Sequence, residues 1–379
     1  MNMINADEKK HVVCVVGTRP EAIKMAPVIA ELKLRPWCRV TVVGTGQHRE
    51  MMHQALGAFG LGVDVDLDVM TPNQRLSTLS SRILSGFDAY LQKENPDLVL
   101  AQGDTTTVMA VALCCFHAKV PLGHVEAGLR TSQIDNPFPE EFNRRIASLA
   151  AALHFAPTGR AKEKLLAENY DPATVFVTGN TVIDALLTIL KQYPESSAKS
   201  DIVLVTMHRR ENHGLPMERV CESIARLHDR YPHLRFRLPV HPNPAVKSVV
   251  EAKLKGLERI VLSDPLSYGE LACVMRDSLL ILTDSGGIQE EAPILRKPVL
   301  VLRSETERPE ALDAGVGKLV GTDSALIEAE VDRLLTDEAY YASMASGASP
   351  YGDGQAAQRI ADRCAAYLGL GGTVMPDFA

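Results

Sequence analysis

Short apolar runs alternate along the chain with longer amphipathic stretches. Runs rich in valine, isoleucine and leucine predict strands at HVVCVV (11–16), RVTVVG (39–44), DLVLAQ (97–102), VPLGHV (120–125), LHFAP (153–157), TVFVTG (174–179), DIVLVT (201–206), RFRLPV (235–240), RIVLSD (259–264), SLLILTD (278–284) and KPVLVL (297–302). Strands that alternate with helix-length stretches indicate βα units, and almost wholly apolar strands indicate parallel sheets covered on both faces. The predicted fold class is therefore α/β and doubly wound.

Helix-start signals agree with this pattern. Pro20 and Glu21 follow the first predicted strand, and Thr105 to Thr107 can cap a helix after DLVLAQGD. Pro139 is followed by two glutamates, which favour the positive end of a helix. The first two signals come directly after an apolar run or its turn, as a strand-to-helix connection requires.

The length of 379 residues suggests two domains, because one domain takes roughly 150 residues. A polar stretch with proline and serine, KQYPESSAKSD (191–201), precedes a fresh strand and is the best linker candidate. We expect two Rossmann-like domains facing a cleft, with ligands at the carboxyl ends of the strands.

Composition narrows the class of partner. The chain is 46% hydrophobic and 23% charged, which is typical of a folded protein, and its net charge of −7 argues against nucleic acid or anionic membrane as a partner. The start, MNMINADEKK, lacks the apolar core of a signal peptide, and the run VMAVALCC is too short to span a bilayer. We expect a cytoplasmic protein that holds any phosphate locally.

No metal or redox cofactor is predicted. The seven cysteines include no CxxC pair, and an odd count without metal spacing is typical of reduced core thiols. GTGQHR is similar to the dinucleotide fingerprint GxGxxG, but Arg49 stands in place of the third glycine, which disfavours NAD. Walker, HExxH and GxSxG motifs are absent from the sequence.

The predicted strand-to-helix turns are rich in ionisable and hydroxyl side chains. They are GTRPEAIK (17–24), GTGQHRE (44–50), QGDTTT (102–107), HVEAGLRT (124–131), TMHRREN (206–212), PVHPNP (239–244) and TDSGGIQEE (283–291). Turn geometry alone would call for Gly, Asn and Pro, but not for this density of His, Arg and acids. The turns are therefore the expected functional site.

The last of these turns has the form of an anion-binding turn. Ser285, Gly286 and Gly287 end an apolar strand, and IQEEAPIL is predicted to continue as a helix whose positive end faces the turn. Glu291, one turn further on, could accept hydrogen bonds from a ribose diol. A simple tight turn with an N-cap explains the segment equally well.

Three basic residues could add to a diphosphate site. Arg19 and Lys24 surround the first helix start, and Arg308 stands beside a predicted helix that begins with proline. Each alone is better explained as a surface charge. Together with the Ser-Gly-Gly turn they describe a site for a nucleotide diphosphate, because arginine forks match phosphate oxygens.

Asp104, Glu126 and His208 are acid or base candidates. Asp104 could instead be the N-cap of the Thr-rich helix. Glu126 follows an apolar strand, where an unpaired carboxylate is costly. His208 follows another apolar strand, and a satisfied core histidine is its alternative explanation.

Glu140, in PFPEEFNRR, is the fourth candidate and the most ambiguous. An acid in the first turn favours the helix dipole, and Glu140–Arg144 and Glu141–Arg145 are i,i+4 pairs worth only a few tenths of a kcal/mol each. A self-paired helix start and a catalytic acid therefore both fit this segment.

Taken together the motifs resemble the non-hydrolysing UDP-N-acetylglucosamine 2-epimerase family. They are, in order, GTRPEAIKMAPV, GQHREM, GDTTT, GHVEAGLRT, PFPEEFNRR, HFAPT, VTGNTVIDAL, HRREN, DSGGIQEEAP, KPVLVLR, TERPE, KLVGT and PYGDG. The match covers roughly residues 11 to 361, and an ordered set is far more specific than any one motif.

The resemblance implies a GT-B fold and usually a homodimer. Residues 1–185 would form the N-terminal domain, joined by the C-terminal helix 361–379, and residues 186–360 would form the UDP-binding domain. It also implies interconversion of UDP-GlcNAc and UDP-ManNAc for cell-surface polysaccharides, with no NAD or metal. Family enzymes eliminate UDP across C1 and C2, giving 2-acetamidoglucal, and then add it back with the C2 proton on the other face.

Matching motifs carry the family roles onto this chain. Asp104, Glu126 and Glu140 would be acid/base carboxylates, and His208 would act near the leaving diphosphate. The UDP-binding set would be Arg19, Lys24, Leu271, Ser285, Gly286, Gly287, Glu291 and Arg308.

Departures from the family pattern are few, and the resemblance also suggests an effector site. Met207 stands where Ala is commoner, and SET replaces the frequent DTT before ERPE. Some bacterial members bind a second UDP-GlcNAc as activator, for which the matching residues here are Gln47, His48, Glu50, Arg210 and His241. Asn73 lies roughly where those members can carry an arginine, which counts against the same regulation here.

Three rival functions remain open from sequence. A GT-B glycosyltransferase would use the same UDP half-site with an acceptor pocket in place of paired acids. A hydrolysing epimerase would release free ManNAc and UDP. An inactive UDP-sugar-binding protein would keep the scaffold, although all four acid/base candidates are present.

Overall fold

The computed structural model describes residues 9–46, 49–71, 74–131, 133–194, 200–347 and 349–379. The chain forms two compact units, the first made of Met1–Thr188 with Tyr351–Ala379 and the second of Ile189–Pro350. The chain therefore returns to the first unit at Tyr351, earlier than the residue 361 expected from the sequence. The assignment of these units as functional domains stays a prediction.

The first unit contains a parallel sheet. Its strands are β1 (Lys10–Val16), β2 (Cys38–Gly44), β3 (Val65–Asp66), β4 (Leu98–Gln102), β5 (Leu122–Val125), β6 (Leu153–Ala156) and β7 (Val175–Val177). Its helices are α1 (Arg19–Leu34), α2 (Arg49–Gly57), α3 (Leu76–Glu94), α4 (Thr106–Ala118), α5 (Glu140–Ala150), α6 (Gly159–Ala167), α7 (Thr181–Leu190), whose last two residues already belong to the second unit, and, after the second unit, α15 (Ala356–Tyr367). Among the described residues the sheet order is β3-β2-β1-β4-β5-β6-β7.

The second unit repeats this architecture. Its strands are β8 (Ile202–Thr206), β9 (Arg235–Pro239), β10 (Ile260–Ser263), β11 (Leu280–Thr283), β12 (Val299–Val301) and β13 (Gly317–Leu319). Its helices are α8 (Leu215–Arg230), α9 (Pro244–Leu254), α10 (Tyr268–Arg276), α11 (Gly286–Glu291), α12 (Pro309–Asp313), α13 (Ser324–Thr336) and α14 (Glu338–Met344). The order is β10-β9-β8-β11-β12-β13, and the pairs are parallel.

The predicted α/β class with parallel sheets is confirmed. Each predicted apolar run contains a strand, because a strand between two helix layers must be apolar on both faces. Val13 and Val15 in β1, and Val203 and Val205 in β8, are almost fully buried in the two cores. The sequence did not predict β3 and β13, which are very short strands at the sheet edges.

Helix starts follow the local signals. Thr18 and Glu21 form a capping box at α1, with Pro20 in the first turn. Thr105 caps α4 by accepting from Val108 N, so the alternative role of Asp104 as N-cap is wrong. In α11 the helix ends at Glu291 and a 3₁₀ turn follows at Pro293–Leu295, so the helix predicted over IQEEAPIL is shorter than expected.

The C-terminal segment completes the first unit. Helix α15 packs against α1, and its first turn donates to Asp184 from Ala356 N at 3.2 Å and Ala357 N at 2.8 Å. Beyond α15, Phe378 N donates to Val177 O at 2.8 Å, which covers the edge strand β7.

Two further features concern partners and cofactors. Within the described ranges, no helix has the length and apolarity needed to cross a membrane. The same residues contain no cluster of three or more side chains that could hold a metal ion. The seven cysteines are free thiols, and all except the half-buried Cys273 are buried.

Candidate active site

Four of the candidate residues follow the strands at which the strand order reverses. In the first unit the reversal falls between β1 and β4, and in the second between β8 and β11. Helices that leave neighbouring strands in opposite directions open a crevice at such a point, which is where doubly wound sheets bind ligands. The turns after β1 and β4 carry Arg19 and Asp104, and those after β8 and β11 carry His208 and Ser285.

Glu126 stands at the end of β5 in a left-handed backbone conformation, with φ of 65°. Its Oε1 lies 2.5 Å from Lys24 Nζ and 3.0 Å from Asn180 Nδ2, and its Oε2 accepts from the side-chain amide of Gln102. The Glu126 side chain is only 7% exposed. A buried carboxylate is thus paired with a cation and two amides, as its burial requires.

Asp104 is connected to α5 through Arg144. The guanidinium donates from NH2 to Asp104 Oδ2 at 2.6 Å and from NH1 to Glu141 Oε2 at 3.0 Å. Asn143 also donates to Asp104 O at 2.9 Å. The turn after β4 and the start of α5 are therefore held together, and the backbone that carries Asp104 leads directly to Gly103, beside Glu126.

Glu140 is the half-buried first residue of α5. The predicted Glu140–Arg144 pair is wrong, because Arg144 instead pairs with Asp104 and Glu141. The Glu141–Arg145 pair is confirmed, with 2.8 Å between Oε1 and Nε. Across the described part of the chain, Glu140 has no hydrogen bond or ion pair, so the charges of the helix start are satisfied without it.

Two buried residues that the sequence analysis did not assign to the site support these turns. His124 Nε2 lies 2.7 Å from Gly103 O, and burial lowers the pKa of this fully buried imidazole to about 3, so the ring is neutral and donates. Glu21 accepts from Gly17 N and Thr18 N at 2.7 Å each and from the Thr105 hydroxyl. Burial raises the pKa of Glu21.

In the second unit, His208 contacts the first residue of the DSGG turn. His208 Nδ1 lies 3.1 Å from Asp284 Oδ1, and Asp284 is fully buried. The His208 side chain is 45% exposed, so the alternative of a core histidine is wrong. Arg209, which the sequence did not suggest, places NH2 at 3.8 Å from where a Cβ on Gly286 would stand. A cation therefore lies beside the glycine turn.

The glycine turn is preorganised by side chains behind it. Ser285 N donates to Thr283 Oγ1 at 3.0 Å. Tyr268 donates from its hydroxyl to Glu291 Oε1 at 2.7 Å, and Glu291 Oε2 lies 3.9 Å from where a Cβ on Gly287 would stand. Burial, with the adjacent Glu291 charge, raises the pKa of Tyr268 well above its ordinary value. Glu291 thus accepts a hydrogen bond next to the turn.

The other predicted nucleotide contacts have different surroundings. Arg308 pairs through Nε with the buried Glu290 on α11, so the structure brings it to the helix that follows the glycine turn. Leu271 lies half-buried on α10, the helix that also carries Tyr268. Arg19 is the partly exposed first residue of α1, whereas Lys24 lies one turn further along and contacts Glu126.

The predicted effector residues are only partly described. Glu50 is exposed in α2, and His241 is exposed with its Nδ1 accepting from Asn243 N at 3.2 Å. Gln47, His48 and Asn73 lie outside the described residues, as does the side chain of Arg210. The effector site stays a prediction.

The chain has two α/β units, each with a parallel sheet and with polar side chains at the point where the strand order reverses. This architecture defines an enzyme of the GT-B class. The family model described as UDP-N-acetylglucosamine 2-epimerase matches residues 30–365. The chain belongs to the UDP-N-acetylglucosamine 2-epimerase family, as the motifs suggested.

Known relatives match along nearly their full lengths. A UDP-N-acetylglucosamine 2-epimerase of Salmonella typhimurium is 46% identical over 94% of this chain and 98% of its own. The crystal structure of UDP-GlcNAc 2-epimerase from Neisseria meningitidis bound to UDP-GlcNAc is similar at 44% identity and a TM-score of 0.86, covering 93% of this chain and 99% of its own. A putative UDP-N-acetylglucosamine 2-epimerase from Listeria monocytogenes reaches 43% identity and a TM-score of 0.91, covering 98% and 100%.

Proposed function

We propose that this enzyme interconverts UDP-GlcNAc and UDP-ManNAc without hydrolysing them. Support for the substrate comes from the Neisseria meningitidis relative, which is bound to UDP-GlcNAc. The observation that carries the proposal is the Glu126 site, a buried carboxylate at a strand end with a lysine and two amides around it. Such a group costs free energy to bury and is typical of a catalytic site.

The chemistry requires more than removal of the C2 proton, because that proton is not acidic in this sugar. We infer an elimination in which UDP leaves C1 as the C2 proton is removed, giving 2-acetamidoglucal. UDP then adds back at C1, and C2 receives a proton on the opposite face. Both halves need acid/base groups beside the ring and stabilisation of the departing diphosphate.

We assign the proton-transfer steps to three carboxylates of the first unit. Glu126 has its charge balanced by Lys24, and Asp104 has its own balanced by Arg144. Glu140 has no hydrogen bond or ion pair within the described ranges, which leaves its carboxylate available to a substrate. His208 and the glycine turn are assigned to the diphosphate, and Glu291 to the ribose.

Incubation with UDP-GlcNAc in D₂O tests the reaction and its rivals. We expect UDP-ManNAc with deuterium at C2, observed by NMR without any acceptor present. A product without deuterium would rule out elimination. Free ManNAc with UDP would indicate the hydrolysing reaction, and no turnover until an acceptor is added would indicate a glycosyltransferase.

The Glu126→Gln substitution tests the assignment of that carboxylate. General acid–base catalysis contributes about 10²- to 10⁴-fold, so we expect a loss of that order in kcat. Glu330→Gln is the matched control, because Glu330 is also a buried glutamate paired with a lysine, 2.6 Å from Lys318 Nζ. Both variants should lose stability, but only the first should lose activity. Epimerisation by Glu126→Gln at the parental rate would make Glu126 structural.

We also propose a homodimer acting in the cytoplasm and supplying UDP-ManNAc for surface polysaccharides. Support for the dimer comes from exposed apolar side chains on the packed helices α4 and α5: Phe116 is 68% exposed, Phe142 47% and Leu149 74%. Large exposed apolar groups favour association. Light scattering of the parent and of a Phe116→Ser, Leu149→Ser variant should show a dimer and a monomer respectively.

A further inference from the structure

The Asp284 carboxylate accepts hydrogen bonds from three residues of the His208–Asn212 turn: His208, Arg209 and Asn212. His208 N donates to both of its oxygens, at 3.1 and 3.0 Å, and Arg209 N donates to Oδ2 at 2.9 Å. Asn212 Nδ2 donates to the same Oδ2 at 3.0 Å. The side chain is fully buried at the end of β11, so these contacts replace water entirely.

The carboxylate is ionised. Burial pushes the pKa of Asp284 upward, but hydrogen bonding and charge from His208, with donation from Arg209 N and Asn212, hold it below its ordinary value. An ionised carboxylate only accepts hydrogen bonds. His208 Nδ1 lies 3.1 Å from Asp284 Oδ1, and a proton on this nitrogen would be attracted to the carboxylate, whereas its lone pair would be repelled.

The opposite edge of the imidazole ring is exposed to solvent. The His208 side chain is 45% exposed, and no described residue forms a hydrogen bond with its Nε2. A carboxylate at Nδ1 fixes the tautomer and the orientation of the ring. The ring can thus receive or give a proton only at Nε2.

We propose that Asp284 is a positioning residue that locks His208 in the Nδ1–H tautomer and directs Nε2 toward the departing diphosphate. The proposal rests on the proposed function, in which His208 acts on that diphosphate. Asp284 does not touch the substrate in this scheme. It connects the HRREN turn with the glycine turn, because the residue after it is Ser285.

The Asp284→Asn substitution gives a specific expectation. An asparagine oxygen in the place of Oδ2 could keep the three donors there, from His208 N, Arg209 N and Asn212. Its amide nitrogen would then face His208 Nδ1, which would have to accept. The ring should therefore change from Nδ1–H to Nε2–H, with little change in shape.

Asn212→Ala is the matched control. Asn212 donates to Asp284 Oδ2 and, at 3.1 Å, to Leu302 O, and within the described ranges it forms no hydrogen bond with the imidazole. This variant should lose stability through two lost hydrogen bonds. It should keep the Nδ1–H tautomer, since Asp284 still faces the ring.

The experiment is ¹⁵N NMR of histidine-labelled protein at a pH where His208 is neutral, with the signal assigned by its loss in His208→Gln. We expect Nδ1–H in the parent and in Asn212→Ala, and Nε2–H in Asp284→Asn. We also expect Asp284→Asn to lower kcat by roughly 10- to 10³-fold while the Kd for UDP changes less than about threefold. Thermal unfolding and circular dichroism establish that each variant is folded.

An Nε2–H signal in the parent would overturn the proposal without any variant. So would an unchanged tautomer in Asp284→Asn, which would leave Asp284 a purely structural residue. Failure of the proposed function is a separate result, because it appears as absent C2 deuteration in the parent, whatever the tautomer is. Comparable populations of both tautomers in the parent would equally contradict the assignment.

Discussion

The guanidinium of Arg144 pairs with two carboxylates that differ in their exposure to solvent. Asp104 is partly exposed at a strand end, with its side chain 28% accessible, whereas Glu141 is fully buried behind the start of α5. The fork geometry of arginine suits this double contact better than a lysine would. Arg144 therefore sets where the Asp104 carboxylate points, whereas Arg145 pairs with Glu141 and Glu168.

Replacing Arg144 by methionine should lower the activity by more than the accompanying loss of stability can explain. We expect kcat/KM to fall roughly 10- to 100-fold and the free energy of unfolding to fall by about 1 to 3 kcal/mol, because hydrogen bonds to charged groups are lost. Arg145→Met is the matched control: the side chain is 41% exposed and does not reach Asp104. It should cost about 1 kcal/mol or less and leave kcat/KM within a few-fold. Equal losses of activity would contradict the role of Arg144.

At this scale the sequence indicated the carboxylates but not their partners. Asp104 and Glu126 could be predicted because each ends an apolar run. Gln102 and Asn180, which donate to Glu126, could not be chosen, because no local pattern specifies which distant amide meets a strand end. For the same reason, local i,i+4 spacing gave Glu140 a partner that the fold assigns to Asp104 and Glu141.

The loop from β5 to α5 contains a close approach to α6. Gly128 has φ of 92°, and a Cβ there would overlap the carbonyl oxygen of Ala161 in α6. The backbone conformation and the overlap both exclude a side chain. Only glycine therefore lets the loop that begins at Glu126 pack onto α6.

Gly128→Ala should destabilise the first unit by about 2 to 4 kcal/mol, because strain at positive φ and a backbone clash add together. Gly159→Ala is the control, since Gly159 begins the same α6 and a Cβ there would meet nothing within 4 Å. It should be neutral or stabilising by up to about 1 kcal/mol. Urea unfolding of both variants measures the difference, and similar midpoints would show that the loop can move away from α6.

The N-terminus of α15 predicts a pH dependence of stability. Burial raises the pKa of Asp184 to about 6, against donation from Ala356 N and Ala357 N, which favours the ionised form. The folded state thus binds a proton more tightly than the unfolded chain does between about pH 4 and pH 6. Stability from this group is present at low pH and is lost as the pH rises through that window.

We therefore expect the parent, compared with Asp184→Asn, to lose on the order of 2 to 3 kcal/mol of unfolding free energy between pH 4 and pH 6.5. The comparison cancels the titration of the other groups. Urea unfolding at steps of half a pH unit measures it. A difference that is constant with pH would show that the Asp184 carboxylate is ionised throughout.

The strands with the most apolar residues were the ones that the sequence predicted best. A central strand is buried on both faces and must be apolar, so β1, β4, β8 and β11 follow from the pattern. The edge strand β3 consists of Val65 and Asp66, both half-buried, and two residues give no periodicity. The length of α11 was overestimated, because Pro293 is compatible with a new 3₁₀ turn as well as with a continuing helix.

At the scale of the whole molecule, two separate segments of the chain, Met1–Thr188 and Tyr351–Ala379, form the first unit. Residues 351–379 bring the fully buried Ile360, Ala361 and Cys364 of α15 to it, and cover the edge strand β7. The sequence suggested this return only through the family resemblance. Composition and periodicity describe a terminal helix without saying which core it joins.

Ending the chain after Pro350 should therefore destabilise the first unit and spare the second. The first unit would lose the buried face of α15 and the partners of Asp184, each fully buried aliphatic side chain contributing about 1.5 to 3 kcal/mol. Hydrogen exchange should show lost protection in β7, α7 and α1, with β8 and β11 still protected.

A chain ending after Leu370 is the graded control. It keeps α15 but loses the bonds of Asp377 to Lys162 and of Phe378 to Val177, so exchange should rise mainly in β7. Equal loss of protection in β8 and β1 would mean that the two units unfold as one.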